Sequence, residues 1–399
     1  METSSTPEKA EIQSPPSRTF GPDLARRAAI TIAILAIYQA GRLIPIAGIN
    51  PDFSFAKDGT NSAIAYDLAP TLSYFALGVT PLFSLLLLWE VFKLAFSDVR
   101  SWATENRRTC YLANKSLIVA ALALAAFQAY GLSAALEALQ ANYGARAALP
   151  VPEPGPLFRL SYIAGVVTGT ALSIWLADQI TRHGTGSGFW LLFVLPSLIA
   201  LAATPATVLT HIANGDVSST SVIALLAVLV ASAAAVISLT RQWIALAPAT
   251  PEFDSASDMA RIVVWPPLMA TSATAMIAAF MNFFVSTDPE GGNQWLQRGS
   301  LGSAIWIAAL ITVLTYAMAN GMLDAKTRTL RDTHKLLGLT VVTASATCIA
   351  IDLLAAHFVP FGIAGTVWIA ILAVFALLLP RDATAYFPAS ASDGGTSAA

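Results

Sequence analysis

The run Leu72-Ser73-Tyr74-Phe75-Ala76-Leu77-Gly78-Val79-Thr80-Pro81 opens the second of ten long apolar stretches in this chain. Its glycine and proline break helical propensity where that stretch begins. The seventh stretch carries Pro266-Pro267 five residues after Arg261, at a comparable point. An interrupted helix in lipid needs a reason, because freed backbone groups find no water there. If ten stretches are two repeats of five, corresponding breaks predict a site along a membrane pathway.

Composition indicates a membrane protein. Of 399 residues, 56% are hydrophobic and 12% are charged, whereas soluble domains carry about 25% charged residues. A span needs roughly 20 apolar residues. The sequence predicts an all-α polytopic membrane protein, with ten transmembrane helices in two five-helix inverted-repeat halves. The predicted spans are Ala28–Ile46, Leu72–Phe96, Ser116–Leu136, Leu160–Ile180, Phe189–His211, Ser221–Leu239, Ile262–Val285, Leu301–Met322, Leu336–Phe358 and Phe361–Leu379.

These spans divide the chain into four parts. Residues 1–25 are predicted to be a disordered cytoplasmic tail, because their start is polar and rich in proline and serine. Residues 26–215 form the first five-helix half and residues 216–381 the second. Residues 382–399 are predicted to be a disordered C-terminal tail. The first apolar stretch has no small-residue cleavage site behind it, which favours an uncleaved span over a signal peptide.

The basic residues test the number of spans. With the N-terminus in the cytoplasm and the sides alternating, 17 of the 22 Lys and Arg residues fall on the cytoplasmic side and 5 on the other. This is a strong positive-inside bias. A missed or additional span would scramble it downstream. The distribution therefore predicts an even number of spans with both termini in the cytoplasm.

The sequence shows no catalytic or metal-binding pattern. Cys110 and Cys348 lie far apart, without disulfide or metal-ligand spacing. The glycine-rich segment His183–Gly188 lacks the preceding strand and the lysine of a P-loop, which favours a flexible turn between helices over a phosphate site. We therefore expect no enzyme activity, no cofactor and no metal.

Few ionisable residues fall within the spans. Glu90 and Lys93 lie three residues apart on one helix and can pair, which favours a structural role over a proton relay. Asp178, at the end of the fourth span, is interpreted in the same way. Asp352 lies deeper in the ninth span. Because buried ionisable groups in membranes often serve transport, Asp352 is the one weak candidate for a coupling carboxylate.

Four motifs resemble those of the SecY family of protein-conducting channels. Phe75–Pro81 resembles the FALGIMP segment of that family, and Ile44–Asn50 resembles its PIPGID stretch. Thr168–Thr170 with Trp175–Thr181 resembles the TGT…WLGEQIT segment, and Gly184–Gly188 is similar to the GIGNG turn. The motifs occur in order within one ten-span frame.

The resemblance covers roughly Arg26 to Leu239, and the second half matches mainly by hydropathy. It implies a clamshell of two halves with a lateral gate between spans two and seven, whose hinge residues are Gly78, Pro81, Pro266 and Pro267. It also implies a re-entrant plug within Asp52–Leu72 and a ring of apolar side chains that excludes water and ions. The ring positions carried over are Val79, Phe83, Phe189, Phe193, Leu268 and, give or take one residue, Ile369.

The function implied by the resemblance is translocation of polypeptides across the bacterial plasma (inner) membrane and their insertion into it. The implied partners are SecE-like and SecG-like small membrane subunits, the SecA motor or the ribosome, unfolded preproteins and membrane lipid. The family docks its motor or ribosome on two long cytoplasmic loops. The loops Arg241–Arg261 and Ala325–His334 are short here, which predicts a divergent, short-looped member. The docking candidates are Arg107, Arg108, Lys326, Arg328 and Arg331.

Two other functions fit part of the pattern. A 5+5 inverted-repeat secondary solute transporter shares ten spans, broken helices and a site near the midplane, and coupling carboxylates would favour it. A membrane-embedded transferase would need a polar catalytic cluster at an interface, which the sequence does not show.

Overall fold

A computed structural model describes residues 22–50, 72–96, 98–99, 102, 107–143, 151–215, 217–245, 254–284, 300–322, 331–357 and 364–378. Within these ranges the chain forms ten long helices and no strand. The helices are α1 (Pro22–Gly41), α2 (Thr80–Ala95), α3 (Arg107–Tyr143), α4 (Pro156–His183), α5 (Gly188–Ala213), α6 (Ser219–Ala245), α7 (Asp254–Phe284), α8 (Leu301–Met322), α9 (Arg331–His357) and α10 (Gly365–Leu378).

The described helices confirm the predicted membrane fold. Six of them, α3, α4, α5, α6, α8 and α9, are long and apolar enough to cross a membrane. Helix α8 begins and ends at the predicted residues. Helices α2 and α10 have 16 and 14 residues, so they are about 24 and 21 Å long. Both are shorter than a hydrocarbon core of about 30 Å. Neither helix could lie within a membrane unless other helices pack around it.

The helices of the two halves pack in the same order. In the first half α2 packs on α3, α3 on α4, α4 on α5, and α1 on both α4 and α5. Each of these pairs recurs five helices later: α7 with α8, α8 with α9, α9 with α10, and α6 with both α9 and α10. If successive helices cross the membrane in alternate directions, helices that are five positions apart in the chain run in opposite directions, because five is an odd number. The packing thus agrees with two inverted five-helix halves.

The two halves meet mainly where α5 packs on α10, with a smaller contact between α2 and α8. Helix α10 lies deep inside the bundle, and every residue from Ile369 to Val374 is buried. It also packs on α6, α7 and α9. This central position explains how an apolar helix of only 14 residues is accommodated.

The predicted break in the second span is confirmed. Residues 72–79 are not helical, and α2 begins only at Thr80. The segment instead pairs with the chain that leaves α1, where the Ile46 amide donates to the Leu72 carbonyl at 3.0 Å and the Tyr74 amide to the Ile44 carbonyl at 3.2 Å. This pairing satisfies backbone groups that would otherwise be unpaired in an apolar setting. It also ends the first helix at Gly41, five residues before the predicted Ile46.

Glycines let this irregular segment lie close to its neighbours. Gly78 has a left-handed φ of +49°, and a Cβ there would overlap the Tyr38 hydroxyl. Gly169 of α4 lies directly against the segment, because a Cβ there would overlap the carbonyl oxygen of Tyr74. Both positions require glycine. The Thr168-Gly169-Thr170 motif therefore marks the place where α4 supports the interrupted span.

The predicted break in the seventh span is wrong. Helix α7 runs without interruption from Asp254 to Phe284, with Pro266 and Pro267 inside it. A proline normally disrupts a helix interior because it lacks an amide donor. Here every residue from Ile262 to Ala270 is buried, so close packing on all sides holds the helix together where its hydrogen bonds are missing. Prolines are tolerated in transmembrane helices for this kind of reason.

Some predicted features lie outside the described residues. These are most of the plug within Asp52–Leu72, most of both tails, and the loop residues Lys326 and Arg328. Arg107 and Arg108 begin α3 and Arg331 begins α9, but their side chains are not among those described. The docking role of these five residues stays a prediction.

Candidate functional site

Six side chains from three helices meet between the two halves, and we call this group the waist. Val79 directly precedes α2 and Phe83 lies in the first turn of that helix, and Phe189 and Phe193 lie in the first turns of α5. Trp265 and Leu268 come from α7, beside its two prolines. All six belong to one apolar core or pack directly on it. Five of the six predicted ring positions therefore lie in a single cluster.

Four aromatic rings of the waist stack in sequence. Phe189 stacks on Phe193 with ring centroids 6.3 Å apart, and Phe193 stacks on Phe83 at 4.4 Å. Phe83 then lies parallel to Trp265 at 6.0 Å, with 3° between the ring planes. Trp190 packs edge-on against Trp265 at 5.5 Å and completes the cluster. The stack fills the space between α5, α2 and α7 with apolar rings.

The tenth helix contributes to the waist with residues other than the predicted one. Ile369 is fully buried, but it packs in a second core with Val236 and Ile262. Its neighbour Ala370 joins the core of the waist, together with Ile371 and Val374. Successive helix residues point about 100° apart, so an uncertainty of one residue in the alignment moves the side chain to a different face.

Side chains rather than backbones close the seam between α2 and α7. The two helices make little direct backbone contact. Within the described residues they meet through the Phe83–Trp265 stack and through an ion pair, Glu90 with Arg261, at 3.5 Å. Glu90 also pairs with Lys93 at 2.7 Å, as predicted, and its side chain is only 13% exposed. The seam thus has an apolar contact at the waist and a charged contact further along.

The aromatic contacts are the stronger part of this seam. An aromatic pair contributes about 0.5–1.5 kcal/mol beyond its buried area. The Arg261 side chain is 39% exposed, and partly exposed ion pairs are typically worth about 0.2–1 kcal/mol. The Phe83 contacts therefore contribute more to holding α2 against α7 than the ion pair does.

The glycine-rich turn between α4 and α5 holds the base of the waist in place. The Thr185 amide donates to the Thr31 hydroxyl of α1 at 2.9 Å, and the Gly188 amide to the Thr181 hydroxyl at 2.9 Å. A Cβ at Gly184 would overlap that Thr31 hydroxyl. The segment is an interhelical turn as predicted, but it is tightly packed rather than flexible. Its bonded amides also leave little capacity for a phosphate.

Asp352 has a structural contact that its sequence position did not predict. It is 8% exposed, and its carboxylate accepts a hydrogen bond from the Gly365 amide at 3.1 Å. That amide is the first of α10, where helices leave backbone donors unsatisfied. Asp352 therefore joins α9 to the start of α10.

Trp190, Trp265 and Arg261 are the site residues that sequence reasoning missed. Tryptophans are common in membrane proteins and rarely mark a pore, so their type alone carries little information. The available signal was position: Trp265 directly precedes the two prolines, and Trp190 lies between two predicted ring residues.

Comparisons with known proteins find related sequences over part of the chain. The profile of the SecY family matches residues 73–398. Two relatives are named protein translocase subunit SecY: that of Rickettsia conorii is 28% identical over 180 residues, and that of Aquifex aeolicus is 31% identical over 177 residues. These alignments cover 43% and 42% of this chain but only 41% and 40% of the relatives. The chain thus matches about two fifths of the length of these relatives.

Solved channel structures share the fold over nearly the whole chain. Sec61 in a canine ribosome–channel complex from the endoplasmic reticulum superposes with a TM-score of 0.53. It is 14% identical, and the match covers 92% of this chain and 95% of that one. A protein-conducting channel matches with a TM-score of 0.52 and 13% identity over the same shares. Together with the profile match over most of its length, these findings show that this multi-pass membrane protein belongs to the SecY family.

Proposed function

We propose that this chain is a protein-conducting channel subunit of the bacterial plasma (inner) membrane, with both termini in the cytoplasm. It moves polypeptides across the membrane through the waist and releases apolar segments into lipid through the seam between α2 and α7. The observation that carries the proposal is the position of the waist. It lies between the two halves, where α2, which follows the irregular segment 72–79, meets α7.

The waist addresses the main physical obstacle to translocation. A polypeptide cannot cross hydrocarbon unaided, because each bare backbone polar group costs several kcal/mol. A short apolar constriction limits the length of chain that is stripped of water at any moment. When no chain is present, stacked aromatic rings exclude water and ions from the same place. The pore-ring role of Val79, Phe83, Phe189, Phe193 and Leu268 is part of the proposal.

The seam provides the sideways exit. Opening between α2 and α7 would let a segment of about 20 apolar residues partition into lipid. Gly78 supplies a left-handed turn just before α2, and Pro81 lies in the first turn of that helix, where proline is well tolerated. Pro266 and Pro267 remove two hydrogen bonds from α7. We assign these four residues to the hinge on each side of the seam.

The proposed partners follow from the family. The chain would associate with SecE-like and SecG-like small membrane subunits, and receive preproteins from the SecA motor or from a ribosome. The channel in the canine complex is bound to a ribosome. Channel function of this kind requires no catalytic residue, so we do not propose enzyme activity.

The secondary-transporter alternative is less well supported. It needs a carboxylate that is able to bind and release a coupling ion. Asp352, the one candidate from sequence, is engaged with the first amide of α10.

Crosslinking tests the proposed function. A cysteine at Leu268 is expected to react with an export substrate that is stalled in the channel by a folded C-terminal domain, because Leu268 lies in the waist. The measurement is the yield of the covalent adduct, in a chain whose two native cysteines have been replaced. A cysteine at Phe127 is the matched control, because that side chain is 74% exposed on α3. Absence of an adduct at residue 268, in protein that is folded and membrane-inserted, would favour a transporter.

Neutralising Glu90 is expected to make the seam easier to open. Glu90→Gln removes the ion pair with Arg261 across the seam and the pair with Lys93 within α2. Partly exposed pairs contribute about 0.2–1 kcal/mol, and only the first pair joins the two helices. Substrates with weakly apolar signal segments should then be exported up to about fivefold faster, as measured by pulse-chase. Asp178→Asn is the control, because it removes an ion pair with Arg182 within α4. Equal effects from the two variants would show that the Glu90 pair has no special role at the seam.

A further inference from the structure

Trp265 holds a buried hydrogen-bond donor without an acceptor inside the waist. Its side chain lies between the parallel ring of Phe83 and the edge-on ring of Trp190. The residue is 3% exposed, and its indole Nε1–H has no hydrogen-bond partner among the residues that the structure describes. Buried donors of this kind are nearly always satisfied in native proteins. An exception within the apolar waist therefore needs an explanation.

Two other tryptophans, one buried and one partly buried, show that the fold can satisfy such a group. The indole of Trp243 donates to the Thr340 hydroxyl at 2.9 Å, and that of Trp368 to the Ser232 hydroxyl at 3.0 Å. Both tryptophans are covered by neighbouring helices, as Trp265 is.

We propose that the Trp265 indole N–H is a binding subsite for the backbone carbonyl groups of a polypeptide in the waist. The inference rests on the proposed function and names a residue that would contact the transported chain. A carbonyl stripped of water at the constriction would find one donor there. Every residue of every polypeptide has a backbone carbonyl, so the contact requires no particular side chain in the substrate.

The spacing of an extended chain suits a single donor. Residues advance about 3.3 Å each and alternate in direction, so a carbonyl would face Trp265 about every 6.6 Å of travel. Low polarity around the indole strengthens the bond when it forms. Because the buried Trp265 N–H has no partner among the described residues, a bond to a substrate carbonyl would offset the cost of burying that donor. The subsite therefore favours the occupied waist without holding one sequence.

The chain has nine tryptophans, so a spectrum of the full chain labelled with 15N-tryptophan contains nine indole signals. The sample is the chain in lipid nanodiscs with an export substrate stalled by a folded C-terminal domain, and Trp265→Phe identifies the signal of interest. We expect the Trp265 proton to shift downfield when the substrate is stalled, because hydrogen bonding deshields it.

Trp243 and Trp306 are internal controls. The first N–H is already bonded, and the second lacks a partner but lies on α8 outside the waist. Neither signal should move.

A measurement of the export rate distinguishes the hydrogen bond of the Trp265 N–H from simple packing of its ring. Trp265→Phe should export the same substrate roughly two- to tenfold more slowly, as expected for the loss of one hydrogen bond, without a lower thermal unfolding temperature. Replacing Trp265 with benzothienylalanine, which keeps the ring and lacks the N–H, should slow export equally. The subsite is refuted if the substrate reacts with a cysteine at Leu268 while the Trp265 signal does not shift and the two Trp265 variants export at the unmodified rate. In that case the proposed channel function still stands. If no adduct forms at Leu268 in the unmodified background, the proposed function fails and the subsite with it.

Discussion

Replacing Phe83, Phe189 and Phe193 together with glycine is expected to make the chain conduct ions. These side chains make up three of the four stacked rings that fill the space between α2 and α5. Removing them leaves a gap that Val79 and Leu268 are too small to close. Once water enters the gap, the barrier that an apolar constriction presents to ions falls steeply. The measurement is single-channel current in planar bilayers, where the unmodified chain should stay near background.

The matched control removes the same number of rings from exposed positions outside the waist. Phe92, Phe127 and Phe375 are 44%, 74% and 47% exposed and lie on α2, α3 and α10. Their replacement with glycine carries the same cost in helix propensity, about 1 kcal/mol each, and should leave the current at background. The single variant Phe193→Gly provides a milder version if the triple variant unfolds. Background current from folded waist variants would show that these phenylalanines do not form the constriction.

Gly169→Ala is expected to prevent correct folding. The added Cβ would overlap the carbonyl oxygen of Tyr74. This atom belongs to a backbone segment that is itself bonded to the chain leaving α1, so neither side can move without breaking other contacts. Overpacking costs typically 1–3 kcal/mol and occasionally more, and displacement of bonded backbone places this variant at or beyond the upper end. Thermal unfolding in detergent and the yield of membrane-inserted protein provide the measurements.

Gly131→Ala is the control for helix propensity. Gly131 lies within α3, and a Cβ there would meet nothing within 4 Å. Alanine should therefore stabilise that helix by about 0.5–1 kcal/mol. Similar unfolding temperatures for the two variants would mean that α4 and the interrupted span are not in close contact, and would undermine the support for the waist.

The seventh span shows where local sequence rules stop applying. Two adjacent prolines favour a break by every local criterion, yet α7 is continuous through them. The prolines of the two repeats have different outcomes because their surroundings differ. Pro81 lies at the start of a helix with a paired, irregular segment before it, whereas Pro266 and Pro267 are enclosed on all sides. Burial is a property of the assembled bundle and cannot be inferred from the proline pair.

The sequence by itself determined the class of the protein, its ten helices, the interruption before α2 and five of the six positions that meet in the waist. The class and the number of helices follow from apolar length and charge distribution, and the interruption follows from its glycine and proline, all of which are local. The five positions were carried over from the resemblance to the SecY family. Only the tertiary structure decided that Ile369 belongs to another core, that Arg261 reaches Glu90 across the seam, and that Trp265 lies unsatisfied against Phe83. Each of these depends on the rotation of one helix relative to another. That rotation is set by packing among side chains distant in the chain, so no single stretch of sequence encodes it.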